Sequence, residues 1–202
     1  LLTIKAHQAL HDADVVIHDS LVSDAVLELA RREATLIHAG KRGYRKSMPQ
    51  EEINRLMVKH AQKGKQVVRL KSGDPSILAR LDEELDALEA EQISFDIVPG
   101  ITTASAAAAA IGSSLTRRGR NSELTILSGH DMKGFAEHEW AKLAKPGATA
   151  AIYMGLKAAT FICGRLRMHG ADAETPVTIA WNVSRPNQQI VASSLGQLPE
   201  TV

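Results

Sequence analysis

Three turns in this sequence carry side chains whose types and positions suit proton transfer and ligand binding. Val15-Val16-Ile17-His18-Asp19 sets a carboxylate just past an apolar run, and Leu36-Ile37-His38-Ala39-Gly40-Lys41-Arg42 sets an ammonium just past the next. A carboxylate and an ammonium at neighbouring strand ends can act as proton acceptor and donor when their surroundings tune them. The same residue types also serve as caps and surface charges. The third turn, Leu70-Lys71-Ser72-Gly73-Asp74-Pro75-Ser76, follows a β-rich run and precedes a helical pattern. In open α/β sheets ligands gather at this carboxyl edge, where backbone groups approach them closely. It can equally be a helix start, with Asp74 as cap, Pro75 in the first turn and Gly73 at the bend. Neither G-x-G-x-x-G nor a P-loop is present.

Positive charge is concentrated in the loop 40–46, with Lys41, Arg42, Arg45 and Lys46, and at Arg117-Arg118-Gly119-Arg120. Guanidinium forks pair with carboxylate or phosphate in a bidentate way, so these clusters suit a polyanionic small ligand as well as they suit a solvated loop. The eight histidines show no metal-ligand spacing: His7 and His11 are four apart, but no H-E-x-x-H pattern completes them. In Ser128-Gly129-His130-Asp131, His130 follows a strand and is the histidine best placed to face a cleft. No G-x-S-x-G turn is present, and Cys163, between Ile162 and Gly164 in a helical run, reads as core.

The elements that must position these groups alternate. Short β-rich runs at 15–17, 35–37, 66–70 and 95–98 are separated by helical patterns at about 3–11, 22–32, 49–63 and 76–91. That alternation predicts an α/β fold with a mostly parallel sheet. A small-residue helix at 104–111 follows Pro99-Gly100, and new strand runs appear at 124–127, 149–153, 177–180 and 189–191. The change of character places a domain boundary near 112–122, giving 1–114 and 115–202.

Of 202 residues, 44% are apolar and 23% charged, with a net charge of +1. This is the composition of a globular protein long enough for two small domains. Near-neutrality and few aromatics (two Trp, two Tyr, three Phe) argue against a general nucleic-acid or membrane binder. One cysteine excludes an internal disulfide framework, and the chain is expected in the cytoplasm.

Together these turns resemble the tetrapyrrole methylase family, most closely its branch acting on uroporphyrinogen III. The matching segments run in order: 13–22 around His18-Asp19, Gly40-Lys41-Arg42, 49–54 (Pro49-Gln50-Glu51-Glu52-Ile53-Asn54), 68–75 ending Ser72-Gly73-Asp74-Pro75, Val98-Pro99-Gly100-Ile101-Thr102, Leu115-Thr116-Arg117-Arg118, and Tyr153-Met154-Gly155-Leu156. The resemblance implies two α/β domains with an active cleft between them, S-adenosylmethionine as cofactor, and a homodimer without nucleic acid or membrane. It implies two methyl transfers to uroporphyrinogen III, giving precorrin-2 for siroheme or cobalamin. By position it makes Asp19 the proton acceptor and Lys41 the proton donor. Ser72, Gly73, Asp74, Ile77, Thr102, Thr103, Met154 and Val183 fall at cofactor positions, and Arg42, Arg45, Lys46, Arg117 and Arg118 gain a polycarboxylate to bind. A later precorrin as substrate, or a cofactor-binding inactive paralogue, are the alternative readings.

The chain departs from the family's glycine-rich run after the aspartate, reading Ser76-Ile77-Leu78-Ala79-Arg80-Leu81-Asp82. Losing glycines there stiffens the turn. Val183 replaces a family glycine, and Ser20 an arginine. Leu1-Leu2-Thr3 opens inside an element, and a first strand with its Gly/Pro-rich loop and a last strand are expected to be missing. An unpaired central strand edge would then disfavour folding of the 202 residues alone.

Overall fold

A buried, β-branched strand organises the first half of the chain. The computed structural model describes residues 1–40 and 48–202, and its contacts group the chain into Leu1–Thr103 and Ala104–Val202. The first unit runs α1 (Ile4–Asp12), β1 (Val15–His18), α2 (Asp24–Leu27), β2 (Thr35–His38), α3 (Gln50–Ala61), β3 (Val67–Leu70) and α4 (Leu81–Ala90). Its sheet has the order β2-β1-β3, all parallel, with Val15 beside Thr35 and Val67, and His18 beside His38 and Leu70. All four β1 residues are buried, as a central parallel strand covered on both faces requires. Val15 and Ile17 pack with Ile53 and Met57 of α3, whereas Val16 packs with Leu10 of α1 and Leu70.

Local chemistry explains the helix ends. Thr3 Oγ1 accepts the Ala6 N–H at 3.2 Å and caps α1. After α3, Gly64 takes φ +72° while Lys65 N–H reaches back to the His60 carbonyl.

Three expected elements differ. The helical pattern at 22–32 yields only the short α2: beyond Glu28 the Leu29 and Ala30 N–H groups reach back three residues, to Val26 and Leu27, and not four, and Arg31 donates to the Ala13 carbonyl at 2.8 Å and pairs with Asp14. The helix expected from 76 begins at Leu81, since Leu78 (φ 52°) and Arg80 (φ 56°) are left-handed and no right-handed helix can contain them. The run 95–98 is irregular and not a strand: among the described residues it has no ladder partner, and Phe95 and Ile97 stay 39% and 44% exposed.

In the second unit α5 (Thr103–Ala110) starts at the boundary, followed by β4 (Thr125–Ser128), β5 (His130–Asp131), β6 (Gly134–Phe135), α6 (Trp140–Leu143) and β7 (Ala150–Tyr153). A 3-10 turn (Leu156–Ala158), α7 (Ala159–Met168), β8 (Pro176–Trp181), β9 (Gln189–Ser194) and α8 (Leu198–Thr201) complete it. Here β4 and β7 are parallel, whereas β5–β6 and β8–β9 are antiparallel. Helix α7 supplies Ala159 to a core with Ile179, Leu195 and Leu198, and Ile162 to a second with Trp140 and Ala158. Cys163 packs against the first of these cores and donates to the Leu195 carbonyl at 3.1 Å. Among the described residues no helix is long and apolar enough to cross a membrane.

One buried carboxylate ties the first unit's helices to its sheet. Glu84 of α4, 2% exposed, accepts from Arg69 Nε of β3 at 2.9 Å, from Lys71 Nζ at 2.5 Å and from Gln50 Nε2 of α3 at 3.2 Å. Asn54 Nδ2 adds a bond to the Glu83 carbonyl at 2.9 Å. Removing the shared anion leaves two cations in a poorly solvated place. Glu84→Ala is therefore expected to cost about 3–5 kcal/mol in urea denaturation; a loss below about 1 kcal/mol would contradict this role.

Candidate active site

The carboxyl edge of the first unit's parallel sheet gathers the chemistry. Asp19 follows β1, is partly buried, and accepts the Leu21 N–H on Oδ1 at 2.8 Å. Beside it, the buried His18 donates from Nδ1 to the Asp19 carbonyl at 3.0 Å and meets His38 edge to face at 5.2 Å. Ser20 Oγ lies 3.2 Å from His38 Nε2, and a Cβ on Gly40 would run into Ser20. Gly40 therefore lies against Ser20, the neighbour of Asp19. Lys41, Arg42, Arg45 and Lys46 themselves lie outside the described residues.

At the end of β3, Lys71 is 7% exposed. Burial pushes its ammonium below the usual lysine range, while Glu84 and Asp19 pull it back and Arg69 adds to the lowering. Lys71 and Glu84 were not among the residues expected at the site. The available signal was Arg69 inside an apolar strand, because a charge placed there needs a partner.

The next turn is locked onto the segment after Pro99. Gly73 takes φ +79°, a conformation that favours glycine. A Cβ on Gly100 would be driven into the Gly73 carbonyl, so the two backbones touch with no side chain between them. Asp74 Oδ2 accepts the Gly100 N–H at 2.9 Å, and its Oδ1 accepts the Ser76 N–H at 2.9 Å and the Ser76 hydroxyl. A Cβ on Gly73 would sit 3.6 Å from Thr103 Oγ1. The structure thus brings Ser72, Gly73, Asp74 and Ile77 together with Thr102 and Thr103. Asp74 makes the capping bonds its sequence suggests, but it caps a turn and not a helix.

The second unit presents its own strand ends. Met154, directly after β7, takes φ +55° with 58% of its surface exposed. Val183, after β8, is partly buried between Asn182 (φ 49°) and Ser184 (φ 64°), two further left-handed residues. Non-glycine residues in this conformation are costly and cluster at functional sites. Tyr153 Oη accepts the Ala104 N–H at 2.9 Å at the start of α5. Arg117 and Arg118 are exposed on a tight turn in which the Arg120 and Asn121 N–H groups both donate to the Arg117 carbonyl at 3.0 Å. Asn121 Nδ2 pins that turn to the Leu115 carbonyl and Thr149 Oγ1.

These groups are hydroxyls, main-chain N–H and C=O groups, and a carboxylate that already accepts from backbone amides. They suit a ligand bearing an adenosyl and an amino-acid group, and among the described residues no group of three His, Cys, Asp or Glu is arranged for a metal. The bonds from Ser76 and Gly100 hold the Asp74 carboxyl below the usual aspartate range. A carboxyl lowered by folding stabilises above its unfolded pKa, and loses that contribution as pH falls through the native value. Asp74→Asn should accordingly be less stable than the parent at pH 7, with the gap in melting temperature closing below about pH 4. A gap that widens in acid would refute the assignment.

Residues 1–199 match the Tetrapyrrole (Corrin/Porphyrin) Methylases. The chain is 44% identical over 202 residues to the siroheme synthase of Azotobacter vinelandii, covering 100% of this chain and 44% of that protein. It is 48% identical over 198 residues to the siroheme synthase of Zymomonas mobilis, covering 98% and 42%. It therefore spans less than half the length of these curated relatives. A solved uroporphyrin-III C-methyltransferase from Thermus thermophilus, complexed with S-adenosylhomocysteine, is 32% identical with a TM-score of 0.82, over 100% of this chain and 85% of that one. A cobalt precorrin-4 methyltransferase of cobalamin biosynthesis is 27% identical with a TM-score of 0.86, over 98% and 82%. With a family match along nearly its whole length, the chain belongs to the tetrapyrrole methylases.

Proposed function

We propose that this chain is an S-adenosylmethionine-dependent C-methyltransferase unit that methylates uroporphyrinogen III twice to give precorrin-2. In this reading it works in the cytoplasm as a homodimer, and supplies siroheme or cobalamin. The observation that carries the reading is the pair of backbones, Gly73 on Gly100, that sets the turn 72–77 against Thr102 and Thr103 at the carboxyl edge. The methyltransferase names of solved relatives at 30% and 32% identity support the substrate, and the siroheme synthase relatives support the siroheme branch.

S-adenosylmethionine, when bound, supplies an electrophilic methyl group on a sulfonium. The protein's residues then have three tasks. Ser72, Gly73, Asp74, Ile77, Thr102, Thr103, Met154 and Val183 hold the cofactor, and alignment of the reacting atoms is where the largest rate gain lies. Asp19, at the end of β1, accepts the proton that the methylated pyrrole system sheds, and Lys41, the next residue after Gly40, donates one. Arg42, Arg45, Lys46, Arg117 and Arg118 pair with the substrate's carboxylates. A second reading, methylation of a later precorrin, draws on the structural likeness to the cobalt precorrin-4 enzyme and on the glycines lost at Ala79, Leu81 and Asp82.

Incubation with uroporphyrinogen III and methyl-labelled S-adenosylmethionine should yield doubly labelled precorrin-2. Label appearing only on a later precorrin would select the second reading, and binding without transfer would indicate an inactive relative. Lys41→Ala should lower turnover by about 10²-fold or more, in keeping with general acid–base catalysis, while S-adenosylhomocysteine affinity changes little; equal losses would count against its role. Arg117→Ala with Arg118→Ala should weaken substrate binding, with a shallower salt dependence than the parent because fewer ion pairs are left to screen. Unchanged affinity would remove these residues from the substrate site.

A further inference from the structure

Met154 holds a conformation that its own chemistry disfavours. A left-handed non-glycine residue is strained and persists only where its surroundings impose it. The Met154 carbonyl is held by His130. Its Nδ1 lies 3.0 Å from the Met154 carbonyl, and because a carbonyl only accepts, Nδ1 must carry the proton. The imidazole is in turn fixed. Phe135 packs edge to face on it at 5.1 Å and stacks on Phe161 of α7 at 5.0 Å. Ser128 Oγ donates to the His130 carbonyl at 2.5 Å and accepts the His130 N–H at 3.2 Å, while His138 Nε2 donates to the Ser128 carbonyl at 2.8 Å. Gly129 completes the clamp: its N–H donates to the Tyr153 carbonyl at 2.7 Å, and a Cβ there would lie 2.8 Å from the Met154 carbonyl and 2.9 Å from Gly155 Cα.

We propose that His130 is a positioning residue that fixes Met154 in its left-handed conformation through the Nδ1–carbonyl hydrogen bond, and so sets the shape that the end of β7 offers to S-adenosylmethionine. The inference rests on the methyltransferase reading for the identity of the ligand. On this inference His130 acts on the ligand through Met154, so its loss should affect cofactor affinity and leave the chemistry unchanged.

The test is calorimetric titration of the full chain with S-adenosylhomocysteine, together with steady-state kinetics and the Met154 Cα chemical shift without ligand. His130→Ala should weaken binding about three- to tenfold, the scale of one hydrogen bond. The KM for S-adenosylmethionine should rise with kcat unchanged, and the Met154 Cα shift should move away from its left-handed value. His130→Asn places an amide N–H where Nδ1–H stood and should restore affinity to within about twofold. His130→Gln places it at the Nε2 position and should not. This pair carries the test if His130→Ala fails to fold. Wild-type affinity in His130→Ala, equal affinities in the Asn and Gln variants, or an unmoved Met154 shift would each overturn the inference. A parent chain that binds no S-adenosylhomocysteine would instead refute the methyltransferase reading, with the Met154 shift still deciding whether His130 sets that residue.

Discussion

The first unit depends on one carboxylate shared between two cations. Glu84 is held by Arg69 from β3 and by Lys71 from the turn that follows, with Gln50 bringing in α3. Arg69 also donates from Nη1 to the carbonyls of Ile17 and Leu70, so the same group braces the ends of two adjacent strands. Apolar packing on either face of β1 does not specify how α3 and α4 sit along the strands. A directional ion cluster does, and the turn beginning at Ser72 starts from it. Two part-buried cations against one buried anion also leave positive charge at the carboxyl edge, and Asp19 is the next acid that Lys71 senses.

Much of this architecture is legible in the residues. Val15, Val16 and Ile17 announce a fully buried strand, and the similar runs ending at Leu70, Leu127 and Tyr153 also become strands. Pro49 followed by Glu51 and Glu52 marks the start of α3, and Gly64 marks its end. The signals fail where tertiary contacts override local pattern. Phe95 and Ile97 alternate as strand residues should, but a strand also needs a neighbour's amides and carbonyls. Asp74 and Pro75 look like a helix start, but the carboxylate is used to grip Gly100, and left-handed Leu78 and Arg80 postpone the helix to Leu81.

The site divides in the same way. Asp19 and the Ser72-Gly73-Asp74 turn stand out because strand ends and glycines are visible in one dimension. Lys71 and Glu84 do not, since Asp82, Glu83 and Glu84 form an unbroken acidic run and only packing decides that Glu84 turns inward while Glu83 pairs with Arg80 at the surface. The left-handed state of Met154 is equally hidden: nothing in Tyr153-Met154-Gly155 foretells it. It becomes intelligible only once Gly129 and His130 are seen pressed against the end of β7.

The contact of Gly73 on Gly100 also bears on the thermodynamics of ligand capture. A loop that must be ordered when its ligand arrives spends conformational entropy at that moment, at a scale of about 1–2 kcal/mol for each residue fixed. Here the turn is already welded to its neighbour by backbone contact and by the Asp74–Gly100 bond, so that entropy was lost during folding. If the turn holds the cofactor as proposed, its recognition is close to rigid-body docking, with affinity set by the fit of the surface offered and little of it consumed in building that surface.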